Sequence, residues 1–204
     1  MVETVAPRWN LIVFVRAPMI GAVKRRLASG IGPLAAHRFY VATTRRLLGR
    51  VSGDPRWKTW LAVTPDDYAR RGRFWPGQVE RLPQGTGDLA ARMARALGRF
   101  GGPTVVVGSD IPDLAARHVA AAFVALGRAD IVFGPAGDGG YWLVGTRSPA
   151  VVPGLFRGVR WSGPHALADT LANAANRRVA LLEPLDDVDE PADYDRLRRR
   201  ISVP

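Results

Sequence analysis

The sequence contains no cysteine, which excludes disulfides, thiolate metal sites and cysteine nucleophiles. No apolar run approaches the length of a membrane span, and the N-terminus lacks the apolar core of a signal peptide. A cytoplasmic protein without a membrane partner is the expectation. Lysine is nearly absent: Lys24 and Lys58 are the only two, and every other basic residue is arginine. Three motifs are missing as well. There is no Gly-x-x-x-x-Gly-Lys phosphate loop, no Gly-x-Gly-x-x-Gly fingerprint after the first strand, and no Gly-x-Ser-x-Gly hydrolase elbow. The three histidines, His37, His118 and His165, fall in expected helices without partner spacing, which marks them as structural or surface groups.

Acids are scarce at one end. Residues 1–50 carry nine basic residues against the single acid Glu3, whereas residues 151–204 carry eight of each. The formal charge is +11. A basic stripe interleaved with aromatics, as nucleic-acid binding prefers, is not found. A small anionic ligand such as a nucleotide explains a local basic cluster. At 204 residues and 47% hydrophobic content, the chain is expected to form one domain, residues 1–204, with a sizeable core.

What is present centres on residues 104–114. Val105-Val106-Val107 reads as a strand buried on both faces, of the kind found inside a parallel sheet. Gly108-Ser109-Asp110 follows, placing a carboxylate at the C-terminal mouth of that strand, where open α/β sheets bind ligands. Asp113 is a candidate N-cap for a helix starting near Leu114. Strands are also expected at 10–15, 57–63, 78–82, 130–133, 141–144 and 179–182. Helices are expected at 33–48, 65–71, from Leu89, at 114–126, 165–175 and 192–201. Residues 71–77 read as an exposed loop. This alternation implies a mostly parallel sheet covered by helices on both faces. The short turn at 137–140 implies one antiparallel excursion.

Four segments carry candidate ligand groups. After the first strand, Arg16, Lys24, Arg25 and Arg26 flank Gly21, a composition suited to wrapping phosphates. Gly85, Gly87 and Asp88 form a Gly-rich turn before a helix; Asp88 is also a natural N-cap. Asp138, Gly139, Gly140 and Tyr141 lie where the backbone must bend sharply or approach a ligand closely, although Asp138 satisfying its own turn explains the first of them. Asp187 and Asp189 alternate around Val188, so in extended backbone both carboxylates point the same way and suit a hard cation. Glu190 and Asp193 read instead as acids at a helix N-terminus. Trp161 is either core or a stacking platform.

These segments together resemble the DUF2064 family, small bacterial glycosyltransferase-like proteins related to the guanylyltransferases of coenzyme F420 synthesis and to molybdopterin nucleotidyltransferases. The carriers are Ala17-Pro18-x-x-Gly21-x-Val23-Lys24-x-Arg26-Leu27, Gln84-Gly85-x-Gly87-Asp88-Leu89-x-x-Arg92-Met93 and Gly108-Ser109-Asp110-x-Pro112-Asp113-Leu114. Further on stand Gly134-Pro135-Ala136-x-Asp138-Gly139-Gly140-Tyr141, Trp161-Ser162 and Asp187-Val188-Asp189-x-Pro191-x-Asp193. The resemblance runs from about Leu11 to Leu197. It implies a three-layer α/β/α sandwich of the GT-A, nucleotide-diphospho-sugar transferase type. It further implies that Asp110 and Asp189, with Asp187, bind Mg2+ or Mn2+, and that Lys24 and Arg26 contact donor phosphates. The chain departs from the family at Arg25, where threonine is usual, at Arg16, where lysine is usual, and at Gly163, where threonine is usual.

The resulting expectation is a metal-dependent transferase using a nucleotide or nucleotide-sugar donor. Glycosyl transfer to a small-molecule acceptor comes first, with Asp110 and Asp138 as catalytic groups and Asp138 on the acceptor side. The alternatives are nucleotidyl transfer from an NTP to a phosphorylated small molecule, and a non-catalytic nucleotide-binding protein.

Overall fold

The computed structural model describes residues 9–71, 74–76 and 79–201. In chain order the elements are β1 (Trp9–Arg16), α1 (Arg25–Ile31), α2 (Pro33–Val51), β2 (Trp57–Thr64), α3 (Asp67–Arg71), β3 (Glu80–Pro83), α4 (Leu89–Leu97) and β4 (Thr104–Val107). They continue with α5 (Ala116–Leu126), β5 (Ile131–Pro135), β6 (Tyr141–Thr146), α6 (Ala166–Asn173), β7 (Val179–Leu181) and α7 (Pro191–Ile201). The strands form one sheet in the order β3-β2-β1-β4-β6-β5-β7. Among the described strands, only β6 runs antiparallel to its neighbours, the single excursion that the 137–140 turn implies.

Alternation along the strands builds two cores. On β1, Leu11, Val13 and Val15 face a cluster that includes Leu47 and Leu48 of α2 and Phe123 and Leu126 of α5. Ile12 faces the other way, onto Met93 and Leu97 of α4 and onto Leu155 and Phe156. Val105 and Val107 of β4 join the first cluster and Val106 the second. Side chains of period 2 thus fill both faces of a central strand, giving an α/β/α sandwich. Among the described residues, no helix is long and apolar enough to cross a membrane.

A third, smaller cluster positions the site. Leu27 of α1 and Ala36 of α2 enclose Val188, which is 4% exposed. Val188 belongs to a strap that leaves β7 at the sheet's edge and crosses the carboxyl ends of the neighbouring strands. Its backbone N–H groups are pinned in succession: Leu182 to Phe133 O, Leu185 to Pro135 O and Val188 to Asp110 O, at 2.8, 3.2 and 3.2 Å.

Two expectations are corrected. The helix near Leu114 is α5 and starts at Ala116 with Ala115 as its N-cap, so Asp113 does not cap it. Asp113 pairs instead with Arg200 of α7, and the Nδ1 of His118 accepts the Ala115 N–H at 3.0 Å. Trp75, in the supposed exposed loop, is buried against the first core. Of that loop Gly72, Arg73 and Gly77 lie outside the described residues, as does Gln78 at the start of the third expected strand, whose described part is β3.

Leu27→Ala is expected to cost about 2–5 kcal/mol, the range for a buried leucine truncated to alanine, in urea denaturation. A loss well under 1 kcal/mol would show that the small cluster does not hold the strap.

Candidate active site

The carboxyl ends of the sheet frame a cleft of about 670 Å3. Asp110 reaches it from the loop after β4, Lys24 from the end of the β1–α1 loop, Arg26 from the first turn of α1, and Asp187 and Asp189 from the strap. Because Val188 is plugged between α1 and α2, its two neighbours are turned the other way, into the cleft. One oxygen from each of Asp110, Asp187 and Asp189 lies within 4.8 Å of the others. An all-oxygen set of three carboxylates suits a hard divalent cation, so the residues present fit Mg2+ or Mn2+.

Lys24 is the N-cap of α1 in the left-handed region, φ 50 and ψ 48. Its ammonium is not free for an incoming phosphate. It lies 2.7 Å from Asp110 Oδ2 and 2.7 Å from Asp189 Oδ1, with the side chain only 4% exposed. Arg26 pairs with the other oxygen of Asp189 and approaches Glu190 at 3.5 Å. The backbone N–H groups of Asp189 and Glu190 both donate to Asp193 Oδ2, at 3.0 and 2.8 Å, fixing the strap where α7 begins.

These contacts separate the two strap acids. Burial raises Asp189, but the Lys24 ammonium and the Arg26 guanidinium outweigh it and hold the carboxyl below its usual value. Burial, then the Asp110 and Asp189 carboxylates, push Asp187 up to about 6. Burial opposes the charge on Lys24, but Asp110 and Asp189 together keep its pKa above the ordinary lysine value.

The other candidates divide between cleft and scaffold. Arg16 lines the cleft with its backbone clamped by Tyr40, whose hydroxyl accepts from Arg16 N at 2.8 Å and donates to Arg16 O at 2.9 Å. Gly140, Tyr141 and Asp138 also line it, whereas Gly21, Gly85, Gly87, Asp88 and Gly139 are not among its lining residues. Asp88 caps α4 by accepting from Ala91 N at 2.9 Å. Gly85, at φ +81, packs against the Arg95 guanidinium, which also donates to Gln84 O and Thr86 O. Gly139, at φ +83, lies against the backbone of Pro164, so a Cβ there would collide. Asp138 Oδ1 accepts from Gly140 N at 2.8 Å. The local turn thus takes one carboxylate oxygen of a residue that still faces the cleft.

Sequence reasoning passed over Tyr40, which sits inside an ordinary amphipathic helix and carries no local signal. It also assigned Leu89 and Met93 only to a helix's apolar face, although both line the cleft. Trp161 proves to be both packing residue and wall: it contacts Tyr141 and Phe156 edge-on or tilted and lines the cleft.

A mostly parallel sheet with acids, a lysine and a deep cleft at its carboxyl ends defines the nucleotide-diphospho-sugar transferase and nucleotidyltransferase class of fold. A protein from Desulfovibrio desulfuricans G20, named as a candidate nucleotide-diphospho-sugar transferase, is similar at 28% identity and TM-score 0.88, over 97% of this chain and 89% of that one. Molybdopterin-guanine dinucleotide biosynthesis protein A from Archaeoglobus fulgidus is similar in fold, at 14% identity and TM-score 0.59, over 95% and 98%. A Mycobacterium tuberculosis H37Rv protein solved as a manganese complex aligns at 18% identity and TM-score 0.56, over 94% and 98%. The family model described as an uncharacterized protein conserved in bacteria, DUF2064, matches residues 47–163. The chain belongs to that family. The matched stretch is shorter than the resemblance read from the motifs; it includes Asp110 and Asp138 but not Lys24, Asp187 or Asp189. No curated protein matches the sequence.

For Asp187 the folded-state value lies above the unfolded one, so the folded chain keeps a proton that the unfolded chain releases between about pH 4 and 6. The charged carboxylate therefore costs stability above that window and none below it. In metal-free protein, Asp187→Asn is expected to raise the Tm by a few degrees near pH 7.5 and to leave it unchanged near pH 4, in thermal melts with chelator. A lower Tm near pH 7.5 would contradict the assignment.

Proposed function

We propose that the protein is a divalent-metal-dependent glycosyltransferase that takes a sugar nucleotide and a small acceptor. The observation that carries this reading is the two-sided cleft. One side holds the Asp110, Asp187 and Asp189 carboxylates with Lys24, Arg25 and Arg26 at the start of α1. The other is an aromatic and apolar wall of Trp161, Tyr141, Leu89 and Met93. Charged phosphates suit the first side, and sugar or acceptor rings, which pack on aromatic faces, suit the second. The similarity to the Desulfovibrio protein points the same way.

In this reading Asp110, Asp187 and Asp189 would hold Mg2+ or Mn2+, which when bound supplies charge stabilisation to the departing diphosphate. Arg16, Arg25 and Arg26 orient the donor phosphates at the cleft mouth. Tyr40 keeps that loop in place through the Arg16 backbone. An acceptor hydroxyl oxygen attacks the anomeric carbon, the bond from that carbon to the phosphate oxygen breaks, and the nucleoside diphosphate leaves. The free oxygen of Asp138 takes the hydroxyl proton.

Nucleotidyl transfer is the second reading, and one observation favours it. The Arg16 and Arg25 side chains line the cleft exposed and form no ion pair among the described residues. That leaves two cations beyond those already paired, which suits the greater charge of a triphosphate.

Calorimetric titration with UDP-glucose, GDP-mannose, UTP and GTP, each with and without Mn2+, separates the readings. Metal-dependent binding of a sugar nucleotide, followed by release of nucleoside diphosphate with acceptor present, is the expected result. Preference for a free triphosphate would move the assignment to nucleotidyl transfer; binding without turnover would make the protein a nucleotide-binding module. Asp110→Asn is expected to weaken the Mn2+-dependent binding at least tenfold, about 1.4 kcal/mol, with unchanged circular dichroism. Binding equal to the parent's would remove Asp110 from the site.

A further inference from the structure

The ammonium of Lys24 and a divalent cation call on the same two carboxylates. Asp110 and Asp189 are two of the three carboxylates that converge at the candidate cation site, and the Lys24 Nζ already sits between them at 2.7 Å from each. An ammonium is a compact point charge with three donors, and here it is shielded from water almost completely. It does in the metal-free protein what a cation would otherwise do: it neutralises two carboxylates that face each other. An ammonium and a divalent cation crowded among the same carboxylates are like charges at close range in a half-buried cleft, and they repel strongly.

We propose that Lys24 is a built-in counter-ion that occupies the cation site until a divalent metal displaces it. The inference rests on the metal-dependent reading above. The local backbone suits such an exchange. Lys24 is the N-cap of α1, yet its side chain makes no capping hydrogen bond, so swinging it outward breaks nothing in the helix. Arg16 and Arg25 line the same cleft and suit a phosphate bound beside Lys24. In the proposal, that phosphate of the donor receives the released ammonium. Metal and donor phosphate are coupled through one side chain, and each favours entry of the other by the same factor.

The lysine content makes the test direct. Full-length protein is treated with limiting acetic anhydride, with chelator or with Mn2+ alone, and acetylation at Lys24 and Lys58 is read by mass spectrometry. Lys58 is the internal standard: it lies near the amino end of β2, away from the cleft, and pairs with Glu80 at 2.5 Å. Lys24 is expected to react at least tenfold faster with Mn2+ than with chelator, while Lys58 is unchanged. In parallel, Lys24→Met and Lys24→Asn are expected to bind Mn2+ at least tenfold more tightly than the parent by calorimetry. Asparagine tolerates the left-handed backbone and keeps the comparison valid if the methionine variant does not fold. Lys24 acetylation indifferent to Mn2+ in a parent that binds Mn2+ would overturn the exchange, as would weaker Mn2+ binding by the variants. A failure of the metal reading looks different: neither the parent nor the variants give a Mn2+ binding signal, and both inferences fall.

Discussion

The meeting of the three acids turns on one hydrogen bond and one side chain: the Val188 N–H on the Asp110 carbonyl, and the Val188 isopropyl group between α1 and α2. β7 is at the edge of the sheet and β4 near its middle. Without the strap that returns from β7, the acids at 187 and 189 would have no reason to meet Asp110. Anchoring the middle residue of an Asp-Val-Asp triplet is an economical way to aim two carboxylates. In extended backbone the flanking side chains point opposite to the anchored one, and the apolar plug sets which direction that is.

The second constraint is electrostatic. Three carboxylates within a few ångströms, half removed from water, are unfavourable unless cations accompany them. The chain answers this with Lys24, the N-cap of α1, and Arg26 in its first turn. The compensation is unequal: Asp189 receives both cations, whereas Asp187 receives little and is pushed up to about 6. A site that is only partly neutralised by its own residues is one that an external cation can stabilise.

Much of the framework was legible in the sequence. The Val105–Val107 run, the carboxylate after it and the antiparallel turn near 137–140 all translate directly, because continuous apolar strands and the mouths of parallel sheets are local patterns. The alternation at 187–189 also singled out two acids that the fold brings beside Asp110. What it did not give was the partner of Lys24: a basic residue after the first strand reads as a phosphate ligand, and nothing local shows that acids 86 and 165 residues further along return to it. The Gly-rich turns show a second limit. Gly85 and Gly139 answer to an arginine and to the Pro164 backbone, contacts made across the fold that sequence cannot distinguish from close approach to a ligand. Asp113 shows the same limit, since its partner Arg200 lies on the last helix.

The claim that carries the account is that Asp110, Asp187 and Asp189 together form a divalent-cation site. The most direct measurement is a crystal grown with Mn2+ and examined by anomalous diffraction at the manganese edge. The expected result is a single strong anomalous peak with carboxylate oxygens of all three residues in its coordination shell and the Lys24 ammonium moved away. A peak elsewhere, or no peak with Lys24 still between Asp110 and Asp189, would contradict it.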